Sequence, residues 1–238
     1  MSALIETTTD DFIFYPESDG KPMAENTKQF EWIVTIKEGL NAMLPRDFVA
    51  GDLLWYPVKG NPKISQAPDA MVAIGRPKGH RGSYKQWVEE NIAPQVVFEI
   101  LSPGNTVPEM LKKFSFYNLY EVEEYYVYDP DDNLFWVWIR QEGNLQEILN
   151  ITNWTSPRLG VRFELTNEKL EIYRPDGEKF LTYEELDRIA KTTQAELTKT
   201  QTQLEKTQTQ LETAQAELEK ERLEKERLKQ KLKELGIE

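Results

Sequence analysis

The chain has 238 residues and is 39% hydrophobic, with ten Phe, ten Tyr and six Trp, so it can bury a core in one or two domains. It has no cysteine, which excludes disulfides and thiolate metal sites. The formal charge is −12, and residues 186–238 hold eleven acidic and eleven basic side chains. The acidic excess therefore lies in the first 185 residues and repels nucleic acid everywhere except at a local basic surface.

The N-terminus (MSALIETTTDD) lacks a basic stretch followed by an apolar run, and no segment approaches the ~20 apolar residues of a membrane helix. A soluble, cytoplasmic protein is expected. Residues 1–23 read as a flexible polar arm. Ala24 to Leu44 reads as an amphipathic helix, with Phe30, Ile33, Val34, Ile36, Leu40, Met43 and Leu44 on one broad side. Phe48–Tyr56 and Asp69–Ile74 read as strands joined through a Gly-Asn-Pro turn. Gly75 to Asn91 is a polar insertion with a short helix near Tyr84–Glu90, and Gln95–Leu101 is a buried strand ended by Ser102-Pro103-Gly104.

Thr106 and Glu109 form a capping box, with Pro108 in the first turn of a helix that runs to about Tyr120. Strands follow at Tyr125–Tyr128, Leu134–Arg140 and Leu145–Leu149. Phe163–Tyr173 reads either as a strand pair or as a short helix with a strand. Thr182 opens a last helix, and beyond Asp187 aromatic residues cease. TQTQLEK, TQTQLET and AQAELEK are near-identical heptads, with Leu197, Leu204, Leu211 and Leu218 spaced by seven. Leu228, Leu232 and Leu235 then restore a 4-3 spacing. This is a coiled-coil pattern with one leucine per heptad, and it predicts a homo-oligomer. The alternative is a solvated single helix held by Glu–Lys pairs.

Glu99 lies in the middle of the run QVVFEIL, where an ionised carboxylate without a partner would be very costly. Asp69 opens an earlier strand and a lysine lies on the helix after Glu99. At about 100° per residue, Lys113 falls in the arc of Met110, Phe116, Tyr117 and Tyr120, and Lys112 falls at its edge. Lys113 is expected to point inward. Two carboxylates on neighbouring strands suit a hard divalent cation, Mg²⁺ or Mn²⁺. Such a cation activates water and offsets charge on a phosphodiester undergoing hydrolysis, and an inward ammonium assists. Catalytic roles are therefore expected for Asp69, Glu99 and Lys113.

Pro68-Asp69, Glu99-Ile100-Leu101-Ser102-Pro103, Lys113 with Tyr117, and Glu124-Tyr125-Tyr126-Val127-Tyr128-Asp129-Pro130 carry a resemblance. Together they resemble the bacterial Uma-two family of endonuclease-like proteins, within the restriction-endonuclease-like PD-(D/E)xK superfamily. The match spans residues 24–140, and more loosely 24–185. It implies an α/β fold with an αβββαβ core, extra β-strands and then the long C-terminal helix, 186–238. The superfamily places a lysine two residues after the acid, where this chain has Leu101. The resemblance implies that the lysine has migrated to Lys113, that the carbonyl of Ile100 is a metal ligand, and that an acid of the first helix, Glu25 in preference to Glu31, assists. Asp52, on the first strand, is a further candidate acid, and a strand-edge or turn role is the favoured reading for it.

Between residues 59 and 85 the charges are Lys59, Lys63, Arg76, Lys78, Arg81 and Lys85 against Asp69. Arg76, Lys78, Arg81 and Lys85 are expected to contact the phosphates of double-stranded DNA. Trp87 and Tyr84 are expected to pack the loop, and His80 to lie on the surface. The function expected is metal-dependent DNA cleavage. The alternative is a catalytically inactive nuclease-like module assembled by its C-terminal helix, favoured by the acidic surface and by Leu101.

Overall fold

The computed structural model describes residues 13–20 and 22–234. In chain order the elements are α1 (Thr27–Met43), β1 (Phe48–Ala50), β2 (Trp55–Tyr56), β3 (Ala70–Ala73), β4 (Tyr84–Lys85), β5 (Val96–Ile100) and α2 (Val107–Leu119). There follow β6 (Glu124–Asp129), β7 (Leu134–Gln141), β8 (Asn144–Glu147), β9 (Trp154–Thr155), β10 (Arg162–Leu165), β11 (Leu170–Tyr173) and α3 (Tyr183–Glu234). The chain divides into two compact units at Thr182/Tyr183.

A six-stranded sheet in the order β1-β3-β5-β6-β7-β8 organises the first unit. β5 and β6 run parallel, joined across the sheet by α2, and the other neighbours are antiparallel. Side chains alternate across the pleat and so form two cores. Ala70, Val72, Val96, Phe98 and Ile100 face one side, where Ile33, Ile36 and Leu40 of α1 and Phe163 and Ile172 of the small β9–β11 sheet cover them. Met71, Ala73, Val97, Tyr125 and Val127 face the other side, with Tyr117 of α2 and Trp55. β6 is a central strand and also buries Glu124, whose carboxylate accepts from Tyr126 Oη at 2.7 Å, Ser156 Oγ at 2.5 Å and Arg158 N at 2.6 Å. Those bonds tie the β9–β10 connection to the sheet.

Several expectations are corrected. α1 starts at Thr27 rather than Ala24, because Asn26 caps it, its side chain accepting from Gln29 N at 2.8 Å. Its buried stripe is Gln29, Ile33, Ile36 and Leu40, and Phe30 turns outward at 49% exposure. Phe48–Tyr56 is two strands, not one. The chain breaks at Asp52, which has φ of 47°, and β2 leaves the main sheet to pair with β4. Asp52 is thus a turn residue. The short helix expected near Tyr84–Glu90 is β4 plus a single 3-10 turn at Gln86–Val88. Phe163–Tyr173 resolves into the pair β10–β11. The N-cap half of the capping box holds, with Thr106 Oγ1 accepting from Glu109 N at 3.4 Å. Part of the expected loose arm is docked. Tyr15 packs edge-on to Tyr56 at 5.2 Å and near Trp87 at 5.0 Å, and Tyr56 Oη donates to Pro16 O at 2.7 Å. Residues 1–12, Lys21 and 235–238, including the expected Leu235, lie outside the described residues.

Candidate active site

The register Ala70↔Phe98 and Met71↔Val97, continued by one step, sets Asp69 opposite Glu99. Parity does the rest. Asp69 shares a face with Met71, and Glu99 with Val97, so both carboxylates emerge on the α2 side. Asp69 Oδ2 accepts from the Ile100 backbone N–H at 2.6 Å, which pins it to the end of β5. Glu99 is 1% exposed and Asp69 8%.

From above, α2 supplies two donors to Glu99. Lys113 Nζ donates to Oε2 at 2.6 Å, and the Tyr117 hydroxyl donates to Oε1. The helix rule explains the pairing, because residues four apart share a face. Lys112 is exposed, as expected for its position at the edge of the arc. The ion pair is anchored more deeply than a surface bridge, with the Lys113 side chain 17% exposed.

The electrostatics are unbalanced. Burial pushes the Asp69 carboxyl well above its usual 3.8, and the Glu99 charge adds to that, while Lys113 and the Ile100 N–H pull only part of the way back. Burial pulls the Lys113 ammonium down, but Glu99 and Asp69 outweigh it and hold its pKa above the usual lysine range. Burial keeps the Tyr117 phenol neutral far beyond its ordinary range, and Glu99 reinforces this. Asp52 is also raised, by burial and by Asp19 and Glu99. A cavity of about 120 Å³ opens here, lined among others by Asp69, Lys113, Glu25, Gln29, Asp52 and Glu109. Its carboxylates outnumber its single described ammonium.

Gln29 was not anticipated. Its Nε2 donates to Ile100 O at 2.8 Å, and its Oε1 accepts from Glu25 N at 2.8 Å. One amide thereby fixes the carbonyl between the two motif positions. The available signal was a glutamine at the start of an apolar helical stripe, three residues after an Asn cap. Glu25 is placed differently from expectation. It precedes the α1 cap, and its carboxylate accepts from Ser102 Oγ at 2.6 Å. That carboxylate lies directly over Gly104, where an added Cβ would fall 2.1 Å from Oε2. Glu31 is exposed on α1. Among the described residues, no three Asp, Glu, His or Cys side chains are grouped to share a metal ion. The site has Asp69, Glu99 and a backbone carbonyl instead.

Of the four cations expected to meet phosphates, Arg76, Lys78 and Arg81 follow the far end of β3, about 13 Å of strand from Asp69 at ~3.3 Å per residue, and Lys85 lies on β4 opposite Tyr56 of β2. Two are internally neutralised. Arg76 pairs with Glu89 at 3.1 Å and Glu90 at 2.7 Å, and Arg81 pairs with Glu89 at 2.6 Å and covers the Phe48 ring at 3.9 Å. Lys78 Nζ donates to Asn41 O at 2.5 Å, and Lys85 Nζ sits 5.4 Å from the Tyr15 ring centre. Tyr84 is buried, with its hydroxyl donating to Ile92 O at 2.8 Å. His80 is exposed.

No curated protein matches this chain. Among solved structures, the crystal structure of a putative nuclease belonging to DUF820 from Anabaena variabilis ATCC 29413 is similar, at 18% identity and a TM-score of 0.43, over 58% of this chain and 74% of that one. The model of the Uma2 family, described as "Putative restriction endonuclease", matches residues 20–168. That span is more than half of the sequence and includes Asp69, Glu99, Lys113 and Tyr117, so this chain belongs to the Uma2 family.

Proposed function

We propose that this protein is a metal-dependent endonuclease that hydrolyses phosphodiester bonds in double-stranded DNA. The observation that carries the reading is the charge imbalance at the end of β3 and β5. Two almost fully buried carboxylates stand at opposed positions of neighbouring strands, and the one ammonium beside them is bonded to Glu99. An extra positive charge stabilises such a site, and a raised Asp69 pKa is how the site meets that need with a proton.

The donors fit a hard divalent cation. Asp69 and Glu99 offer carboxylate oxygens and Ile100 a carbonyl oxygen, the ligand types that Mg²⁺ and Mn²⁺ prefer. When bound, the cation would supply charge neutralisation for the phosphate and lower the pKa of water. The protein's own groups do the positioning. Tyr117 and Lys113 fix the two Glu99 oxygens, the Ile100 N–H fixes Asp69, and Gln29 fixes the Ile100 carbonyl. Lys113 keeps its proton and can turn a donor toward a phosphate oxygen or the attacking water. The acidic mouth sets the order of events, because a phosphate approaches once the carboxylate charge is offset. Phosphate contact from the 76–85 segment rests on Lys78 and Lys85, since Arg76 and Arg81 are already paired.

The alternative, a catalytically inactive nuclease-like module, is favoured by Leu101 at the usual lysine position. Plasmid cleavage with Mg²⁺ or Mn²⁺ separates the two. The wild type nicks or cuts, Asp69→Ala and Glu99→Ala are inactive, Lys113→Ala is severely impaired, and Lys112→Ala is unaffected. Equal cleavage by wild type and both acid variants would mean that the activity comes from elsewhere. A chain that binds no metal by calorimetry would be the inactive module.

A further inference from the structure

α3 is a single helix of 52 residues, about 78 Å long at ~1.5 Å per residue, and none of its described residues is buried. Leu197, Leu204, Leu211 and Leu218 are 50–67% exposed, and Leu186, Leu228 and Leu232 are 47–57% exposed. A helix of this length gains little by displaying a regular leucine row to water.

The heptad frame can be fixed. With the repeating leucines at position d, the facing a positions are Gln201, Gln208, Gln215 and Arg222, and the frame loses Leu228. With the leucines at position a, the d positions are Leu186, Thr193, Thr200, Thr207, Ala214, Glu221 and Leu228, and Leu232 returns at a. The second frame keeps every seam leucine from 186 to 232 in one register. Two of its threonines, Thr200 and Thr207, can be buried, because their hydroxyls are already satisfied within their own helix. Thr200 Oγ1 donates to Glu196 O at 2.9 Å and Thr207 Oγ1 to Gln203 O at 3.0 Å. Glu221 and Lys225 interrupt the seam, and a polar break of this kind penalises slipped alignments.

The flanks give the direction. In a parallel pair, a g position meets the e position of the next heptad on the partner helix. This frame then sets Glu217 against Arg222 and Glu224 against Lys229, both attractive. Further up, Gln203 meets Gln208 and Gln210 meets Gln215. In an antiparallel pair, the charged C-terminal half lies against the Gln- and Thr-rich half and these ion pairs cannot form.

We infer that the exposed leucine face of α3 takes a second copy of this chain as its partner, in a parallel, in-register two-stranded coiled coil. This does not rest on the nuclease reading. With threonine or alanine at most d positions, the pair is held loosely and dissociates on dilution. The full chain at high micromolar concentration therefore gives a dimer mass by light scattering and a monomer mass at low concentration.

The absence of native cysteine makes cross-linking unambiguous. Under mild oxidation, Thr193→Cys and Thr200→Cys, at d, form covalent dimers. Thr202→Cys, at the outward f position, does not. Combining Glu217→Lys with Glu224→Lys weakens the dimer several-fold, and adding Arg222→Glu with Lys229→Glu restores it. A monomer mass at every concentration would overturn the proposal, as would linking of Thr202→Cys as readily as Thr200→Cys. A dimer in which neither d variant links, or one indifferent to the charge reversals, would refute the parallel arrangement.

Discussion

Asp69 is 8% exposed and faces a glutamate that is 1% exposed, so it holds its proton more tightly in the folded chain than in the unfolded one. A raised carboxyl pKa means that the native state binds the extra proton. The associated stability is complete below the ordinary value of 3.8 and is lost as pH climbs toward the raised value. Denaturation midpoints of wild type and Asp69→Asn, taken across that window, should converge in acid and separate with rising pH, the variant falling less. Mn²⁺ should close the gap from the other side by stabilising the ionised wild type and not the variant. Parallel curves at all pH values would show that Asp69 titrates normally. The residues behind this behaviour differ in how readable they were. Helical angle suffices to turn Lys113 inward, and Asp69 and Glu99 stand out as acids at a strand start and within an apolar run, while their meeting depends on the β3–β5 register. Gln29 escaped notice, because a glutamine on an apolar stripe gains its meaning only when β5 brings the Ile100 carbonyl beneath it. The ion pairs of the arginines at 76 and 81 escaped notice for the same reason. Their partner Glu89 is also on the polar insertion, and only the fold brings all three together.

Among the elements, α1 depends on a close approach. Gly39 lies beneath Phe180, and an added Cβ would fall 2.4 Å from its Cδ2 and 2.6 Å from its Cγ. Contact that near the ring's root leaves the side chain little room to swing aside. Gly39→Ala gains about 1 kcal/mol of helix propensity. Overpacking costs ~1–3 kcal/mol, so the net change is destabilising. Urea denaturation should show a lower midpoint for Gly39→Ala and partial recovery when Phe180→Leu is added. A stabilised single variant would mean that the 180 region yields freely. Long elements with one dominant period, such as α2, β6 and β7, lie close to where their patterns predict them. The two-residue strands β2, β4 and β9 do not, since no periodicity can emerge from two residues. The split of FVAGDLLWY was hidden by its apolar character, and the clue was the Gly-Asp pair, where Asp52 takes a positive φ.

At the scale of the whole molecule, the sequence divides its physics between the two units. The first holds both apolar cores, and none of the described residues of the second is buried. Residues 183–238 hold thirteen acids and eleven bases, so the first unit carries −10 of the chain's formal charge of −12. Removing residues 191–238 takes away no described core side chain and leaves that charge unchanged. The truncated chain should therefore melt cooperatively at the same temperature as the main transition of the full chain. Adding salt should raise both equally, since self-repulsion of the acidic unit is screened alike in each. Helicity lost on truncation should belong to a separate transition that depends on protein concentration, as expected for a self-associating helix. Calorimetry of both chains at two concentrations tests this. A main transition that falls by many degrees on truncation, or that shifts with concentration in the truncated chain, would mean that the first unit's stability depends on the helix and that the two units are not energetically independent.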